Sequence, residues 1–274
     1  MAGVPVFVKF TIAGPLSIGL FRLSVATILF VVFFVRTDII DQLKKRMIFP
    51  LALIGTLFAV HWITYFLGIK MATASIGLLG ISTYGIHLIF IGWVIKGIKP
   101  TLYDLLALIL AITGTILIVP EFSFSNEVTL GLIVAIFSGF CFATLPVLHQ
   151  HYDFIPERLR VLGQFFFAWC VFVFLLPWTS WQLDVVDWWA LIYLAIPGTF
   201  IAHTLWVRVT TKISTTVTSL IFYLIIPLTM IISYLWVDEP MPIQKIAGAC
   251  LVVLGNIVSL SAKLFINRQK SSSA

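Results

Sequence analysis

Gly55-Thr56-Leu57-Phe58-Ala59-Val60-His61-Trp62-Ile63-Thr64-Tyr65-Phe66-Leu67-Gly68 forms most of an apolar run, Phe49–Gly68, that contains no Asp, Glu, Lys or Arg. A helix rises 1.5 Å per residue, so a run of this length crosses the ~30 Å of a bilayer's hydrocarbon. The opening of the quoted stretch returns as Gly198-Thr199-Phe200-Ile201-Ala202, an offset of 143 that also pairs Thr73 with Thr216. Gly114 and Gly255 pair at 141, which puts a two-residue difference in the loop between the copies. The offset carries the third apolar run onto the eighth. Five crossings separate equivalents, an odd number, so the two copies thread the membrane in opposite senses. Such inverted repeats suit alternating access, because exchanging the conformations of the halves turns a cavity from one side to the other.

The rest of the chain fits this frame. Hydrophobic residues make up 61% and charged residues 10% of the 274 positions, against roughly 45–50% and 25% in soluble domains. Leu16–Val35, Thr101–Val119 and Ile213–Val237 are further runs of spanning length. Hydrocarbon offers no hydrogen-bond partner, so each span must satisfy its own backbone, and the short alternating segments of a barrel are missing. The expectation is an all-α polytopic membrane protein with ten spans over 4–14, 15–36, 47–69, 72–95, 101–119, 128–148, 161–178, 187–207, 213–237 and 241–266. Residues 1–120 form the first repeat, 121–266 the second and 267–274 a tail. The first span is short, reaching only about 21 Å from Met1 to Gly14. It lacks the basic start of a cleaved signal and is expected to be retained.

Assigning alternate loops to opposite sides puts thirteen of the seventeen Lys and Arg on one face and only Lys70 and Lys245 on the other, with Lys9 and Arg22 inside spans. This bias predicts an even number of spans with both termini cytoplasmic. It also accounts for the net charge of +6 without a nucleic-acid partner. Cys141, Cys170 and Cys250 fall in spans without metal-ligand spacing and read as small apolar residues.

Phe21-Arg22-Leu23-Ser24-Val25-Ala26, Lys9, His61-Trp62-Ile63-Thr64-Tyr65-Phe66 and Lys70-Met71-Ala72-Thr73-Ala74-Ser75 are followed in the second half by Thr216-Val217-Thr218-Ser219, Pro227, Asp238-Glu239-Pro240, Gln244, Gly248 and Gly255. In this order the sequence resembles the EamA-domain branch of the drug/metabolite transporter superfamily over nearly its whole length. The resemblance implies a secondary transporter in a bacterial inner membrane, with the substrate path among helices one, three, four, six, eight and nine. It departs at Tyr84, where the repeat equivalent is Pro227, and at Lys96-Gly97, where the second half has Glu239.

All eleven acids lie in loops or at helix ends, so the commonest intramembrane ion relay is absent. The polar groups left in the spans fall on helical faces: His61, Thr64, Tyr65 and Gly68; Gly77, Gly80, Tyr84 and His87; Thr199, His203 and Trp206; Thr216, Tyr223, Pro227, Met230 and Tyr234. Polar groups avoid lipid, so these faces are expected to line a substrate cavity made by His61, Thr64, Tyr65, Tyr84, His87, His203, Trp206 and Tyr223. The bland reading of each is hydrogen-bond glue between helices. Lys9 and Arg22 lie within reach of a span end and read as snorkelling cations, with Lys9 meeting an anionic group of the substrate as the functional alternative. Pro227 is the expected hinge. If transport is proton-linked, imidazole is the carrier, since no carboxylate is inside a span.

The expected partners are a small amino-acid-like or amphipathic solute and the lipid bilayer, with no cofactor, metal or catalytic residue. Gly131, Ala135, Gly139 and Ala143 repeat every four residues as a small-residue stripe, which serves helix contacts within the chain or a homodimer. His149 and His151 lack a third ligand for a metal. A membrane-embedded enzyme is the alternative class. HExxH, GxSxG and paired intramembrane carboxylates are all missing. A channel, the other alternative, would conduct without saturating.

Overall fold

The computed structural model of the chain describes residues 1–34, 41–97, 99–118, 123–212 and 225–272. In order, the helices are α1 (Gly3–Phe10), α2 (Pro15–Phe34), α3 (Lys45–Met71), α4 (Ala74–Ile81), α5 (Tyr84–Lys96), α6 (Leu102–Ile118), α7 (Glu127–His151), α8 (Glu157–Phe174), α9 (Val185–Ala195), α10 (Ala202–Lys212), α11 (Ile225–Val237) and α12 (Ile243–Ser272). Among the described residues there is no strand. Pro15–Phe34, Lys45–Met71, Ala74–Ile95, Glu127–His151 and Val185–Val209 are each long and apolar enough to span a bilayer. Large apolar side chains point outward, Phe49 being 72% and Leu235 71% exposed. That outer surface fits lipid, not water.

Several boundaries differ from expectation for local reasons. The fourth span breaks between α4 and α5, where the Ser82 hydroxyl donates to the Leu78 carbonyl at 2.6 Å and that of Thr83 to Gly80 at 2.7 Å. Hydroxyls that bond back to the preceding turn compete with the helix ladder and bend it. In the eighth span Pro197 has no N–H to give, and Ile196–Ile201 widens into a π-helical turn between α9 and α10. The Thr199 hydroxyl supplies a substitute donor, reaching the Leu194 carbonyl at 2.7 Å. The seventh span runs earlier than 161–178, because Pro156 sets its start and Pro177 lies in the 3₁₀ turn that follows its end. α12 continues to Ser272, so the helix extends into the expected tail. Of the cysteines Cys141 alone is buried, Cys170 being intermediate and Cys250 exposed.

Packing repeats between the halves. α6 lies along α12 and α2 along α8, two pairs of equivalents, and α4 packs against α11, whose own equivalent is α5, while α3 on α7 and α8 is matched by Val185–Ile201 on α1 and α2. The α6–α12 contact shows the relation atom by atom. A methyl on Gly114 would meet the Gly248 carbonyl at 2.5 Å, and one on Gly255 would meet that of Ala107 at 2.8 Å. Ala107 and Gly248 are 141 apart, as are Gly114 and Gly255, so the two close approaches are repeat equivalents of each other. The small-residue stripe of α7 is also spent inside the chain. Gly131 abuts Gly68 and Ala72, and Gly139 abuts Gly80 and Ile81, leaving that stripe covered and no dimer surface on it.

Candidate functional site

Where the halves meet, α3 contributes His61, Trp62, Tyr65 and Phe66, two helical neighbours on each of two adjacent rows. α2 brings Arg22, α7 Phe142 and α10 His203. These side chains surround a cavity of about 50 Å³, room for about three to five waters on a one-probe-per-water count. His61 stacks on Phe142 with ring centroids 4.9 Å apart and on Tyr65 at 5.8 Å. Its Nδ1 lies 2.7 Å from the Ser138 hydroxyl, which itself donates to the His61 carbonyl at 2.8 Å. With the Ser138 proton committed to that carbonyl, Nδ1 is assigned as the donor and Nε2 as the acceptor. His203 meets Phe58 edge-on at 4.9 Å and Trp62 at 5.5 Å.

Arg22 departs from the snorkelling expectation. It is 1% exposed and stays in the protein because its guanidinium finds substitutes for water there. Nε donates to the Thr199 hydroxyl at 2.8 Å and one terminal nitrogen to the Gly198 carbonyl at 3.2 Å. The guanidinium carbon lies 4.1 Å from the centroid of Trp62 and 5.0 Å from that of Phe66, within cation–π range. The other terminal nitrogen, Nη1, has no hydrogen-bond partner among the described residues. Among those residues the ion pairs are Arg208–Glu157 and Lys245–Glu239, so no acid pairs with Arg22. A buried charge without a partner costs several kcal/mol.

The other sequence-predicted residues are dispersed. Trp206 stacks behind Phe142 at 5.5 Å, and Tyr84, fully buried, touches the same ring at 5.3 Å. Both back the cavity wall. Thr64 donates to its own helix, to Val60 at 2.7 Å and His61 at 3.1 Å. His87 bonds Thr83 at 3.0 Å and the Ile136 carbonyl at 3.2 Å, beside a separate apolar pocket. The bend at Ser82–Thr83 explains this, since a face read through it on a 3.6-residue period loses phase. Pro227 lines an outward apolar groove of about 770 Å³ between α11 and α12. Tyr223 and Thr216 lie outside the described residues. His149 is buried against Gln164 at 2.7 Å, while His151 packs edge-on to Tyr152. Arg22, Trp62, Phe66 and Phe142 are among the cavity residues missed from sequence.

Two further features flank the cavity. On the face bearing the basic loops, Phe30, Gln42, Glu157, Arg158, Thr204 and Arg208 line a vestibule of about 490 Å³. A chain of ring contacts links its Phe30 to the cavity's His203, through Phe165 at 6.0 Å and Phe58 at 6.4 and 4.9 Å. On the opposite face the helix ends are tied together. Asp187 accepts from the Thr11 hydroxyl at 2.8 Å and the Ile12 amide at 2.9 Å. Ser17 donates to the Ser180 carbonyl at 2.7 Å. Lys9 donates to the carbonyls of Lys70 and Ala72 at 3.0 and 2.7 Å, a contact with helix ends and not with the cavity. Glu239 accepts from Thr73 at 2.5 Å, the Ser75 amide at 3.2 Å, Ser233 and Lys245. Burial works against its carboxylate, but the hydrogen bonds from Lys245, Ser233 and Thr73 outweigh it and hold Glu239 below the ordinary glutamate range.

The sequence model of the EamA-like transporter family matches residues 1–119 and 129–261. The chain belongs to that family. It is therefore a transporter of the drug/metabolite type, an integral membrane protein of two related halves. A solved structure titled only "Crystal structure of protein" is 14% identical, covers 98% of this chain and 94% of its own, and superposes with a TM-score of 0.72. It is alike in fold alone. No curated protein matches the sequence.

Proposed function

We propose that the chain is a secondary transporter that moves a small metabolite across a bacterial inner membrane by alternating access, with the basic loops and both termini cytoplasmic. The observation that carries this reading is the asymmetry around the central cavity. A wide vestibule approaches it from the basic face, while bonds between the halves, Thr11–Asp187, Ser17–Ser180 and Thr73–Glu239, close the other. Exchanging the conformations of two related halves would exchange these two ends. The substrate is amino-acid-like or amphipathic, because the wall is aromatic with few fixed charges. Uptake by purified protein in liposomes, loaded with a metabolite panel, tests it: transport requires saturable counterflow of at least one solute. Flux that never saturates would make the chain a channel.

A further inference from the structure

The cavity holds a cation that the packing does not neutralise. Arg22 uses Nε and one terminal nitrogen to hold the π turn of the eighth span, through Thr199 and Gly198. Nη1 is buried and has no hydrogen-bond partner among the described residues, on a side chain that lines the cavity. No Asp or Glu is among the described residues lining the cavity, and residues 213–224 contain none in sequence. The molecule thus presents, between the two halves, a preorganised guanidinium without an anionic partner among the described residues. We infer that Arg22 reads the carboxylate of the transported solute, and that this solute is an organic monocarboxylate with an apolar body and no charged amine. The inference rests on the transporter reading and sharpens its substrate class.

Three features choose this chemistry. The fork of an arginine fits a planar carboxylate with geometric specificity that a lysine lacks. Arg22 is the one Lys or Arg among the described residues lining the cavity, Lys9 and Lys70 being committed to carbonyls at the closed face. An ammonium would need an acid, and the described lining offers aromatic rings and the imidazoles of His61 and His203 but no Asp or Glu, while the Arg22 charge would repel it. A deaminated acid therefore fits better than the matching amino acid.

The test uses the full-length protein in liposomes and a panel of aliphatic and aromatic monocarboxylates of graded size, each beside its primary amide and its α-amino acid. Binding is read by ligand-induced thermal stabilisation and transport by counterflow. At least one carboxylate is expected to bind tenfold or more tightly than its amide, and more tightly than its amino acid. Arg22→Gln removes that preference, and Arg22→Lys keeps a weakened one. Should Arg22→Gln fail to fold, the acid-to-amide ratio on the parental chain and on Arg22→Lys decides. Equal binding of acid and amide, or no binding by any carboxylate, overturns the inference. Saturable counterflow confined to uncharged solutes leaves transport standing and removes Arg22 as the reader. Loss of saturable counterflow for every class takes down the transport reading itself.

Discussion

At the residue scale, the decisive group is one that helical spacing misassigns. Arg22 lies close enough to a span end to snorkel, and nothing in its own helix indicates otherwise. What keeps it inside comes from 176 and 177 residues away, the Gly198 carbonyl and the Thr199 hydroxyl. Thr199→Val keeps the volume but strands Nε of a buried guanidinium, and the expected loss of stability is about 1–3 kcal/mol. Thr199→Ser, which retains the acceptor, is expected to unfold near the parental temperature. A scan of the two variants in detergent checks this, and equal melting temperatures would mean that the Arg22–Thr199 bond contributes nothing. His61 and Tyr65, by contrast, were legible from an i, i+4 spacing, because α3 is unbroken between them. His87 was not, since two hydroxyls bend the span before it.

At the scale of elements, hydropathy located the crossings well, because a run that must satisfy its backbone in lipid has one solution. It was silent on how crossings deform. The π turn at Pro197 and the break at Ser82–Thr83 depend on side-chain bonds that no average over a window records. The glycine contact between α6 and α12 belongs to the legible part: Gly114 and Gly255 announce themselves as repeat equivalents, and they approach the carbonyls of Gly248 and Ala107. Gly114→Leu and Gly255→Leu must each push these helices apart, at a cost of about 1–3 kcal/mol. The double variant is expected to lose less than the sum, because both contacts join the same two helices and the first side chain already separates the pair. Gly92→Ala is the control. Its methyl would meet nothing within 4 Å, and in a helix interior it is expected to be neutral or stabilising by up to ~1 kcal/mol. Strict additivity of the two leucines in thermal unfolding would show that the sites are independent and the shared contact unimportant.

At the scale of the whole molecule, the question is what holds one end shut, and Glu239 is the residue on which the closed face depends most. It gathers Thr73 and the Ser75 amide from the first half and Ser233 and Lys245 from the second, so its charge joins the halves across the path. Its carboxyl titrates below the ordinary value in the folded chain. The stabilisation is then fully present above the unfolded-state pKa of about 4.3 and is lost as pH falls through the lower folded value. Glu239→Gln removes the charge at every pH and leaves Lys245, 5% exposed, without its partner, a change that costs about 3–5 kcal/mol in buried pairs. Stability should therefore drop at neutral pH, and the acid-side slope should flatten. If the cluster is also a latch, its loss must raise the share of molecules open on this face, and a cysteine at Ala74, buried beside Glu239's partners in α4, reports that opening. With Cys141, Cys170 and Cys250 replaced by alanine, a membrane-impermeant maleimide added from the face of Lys70 and Lys245 should label Ala74→Cys several-fold faster in the Glu239→Gln background. Faster labelling at an unchanged folded fraction assigns Glu239 to gating. Lower stability with unchanged labelling would reduce it to an inter-helix staple, and the closed face would then need another cause.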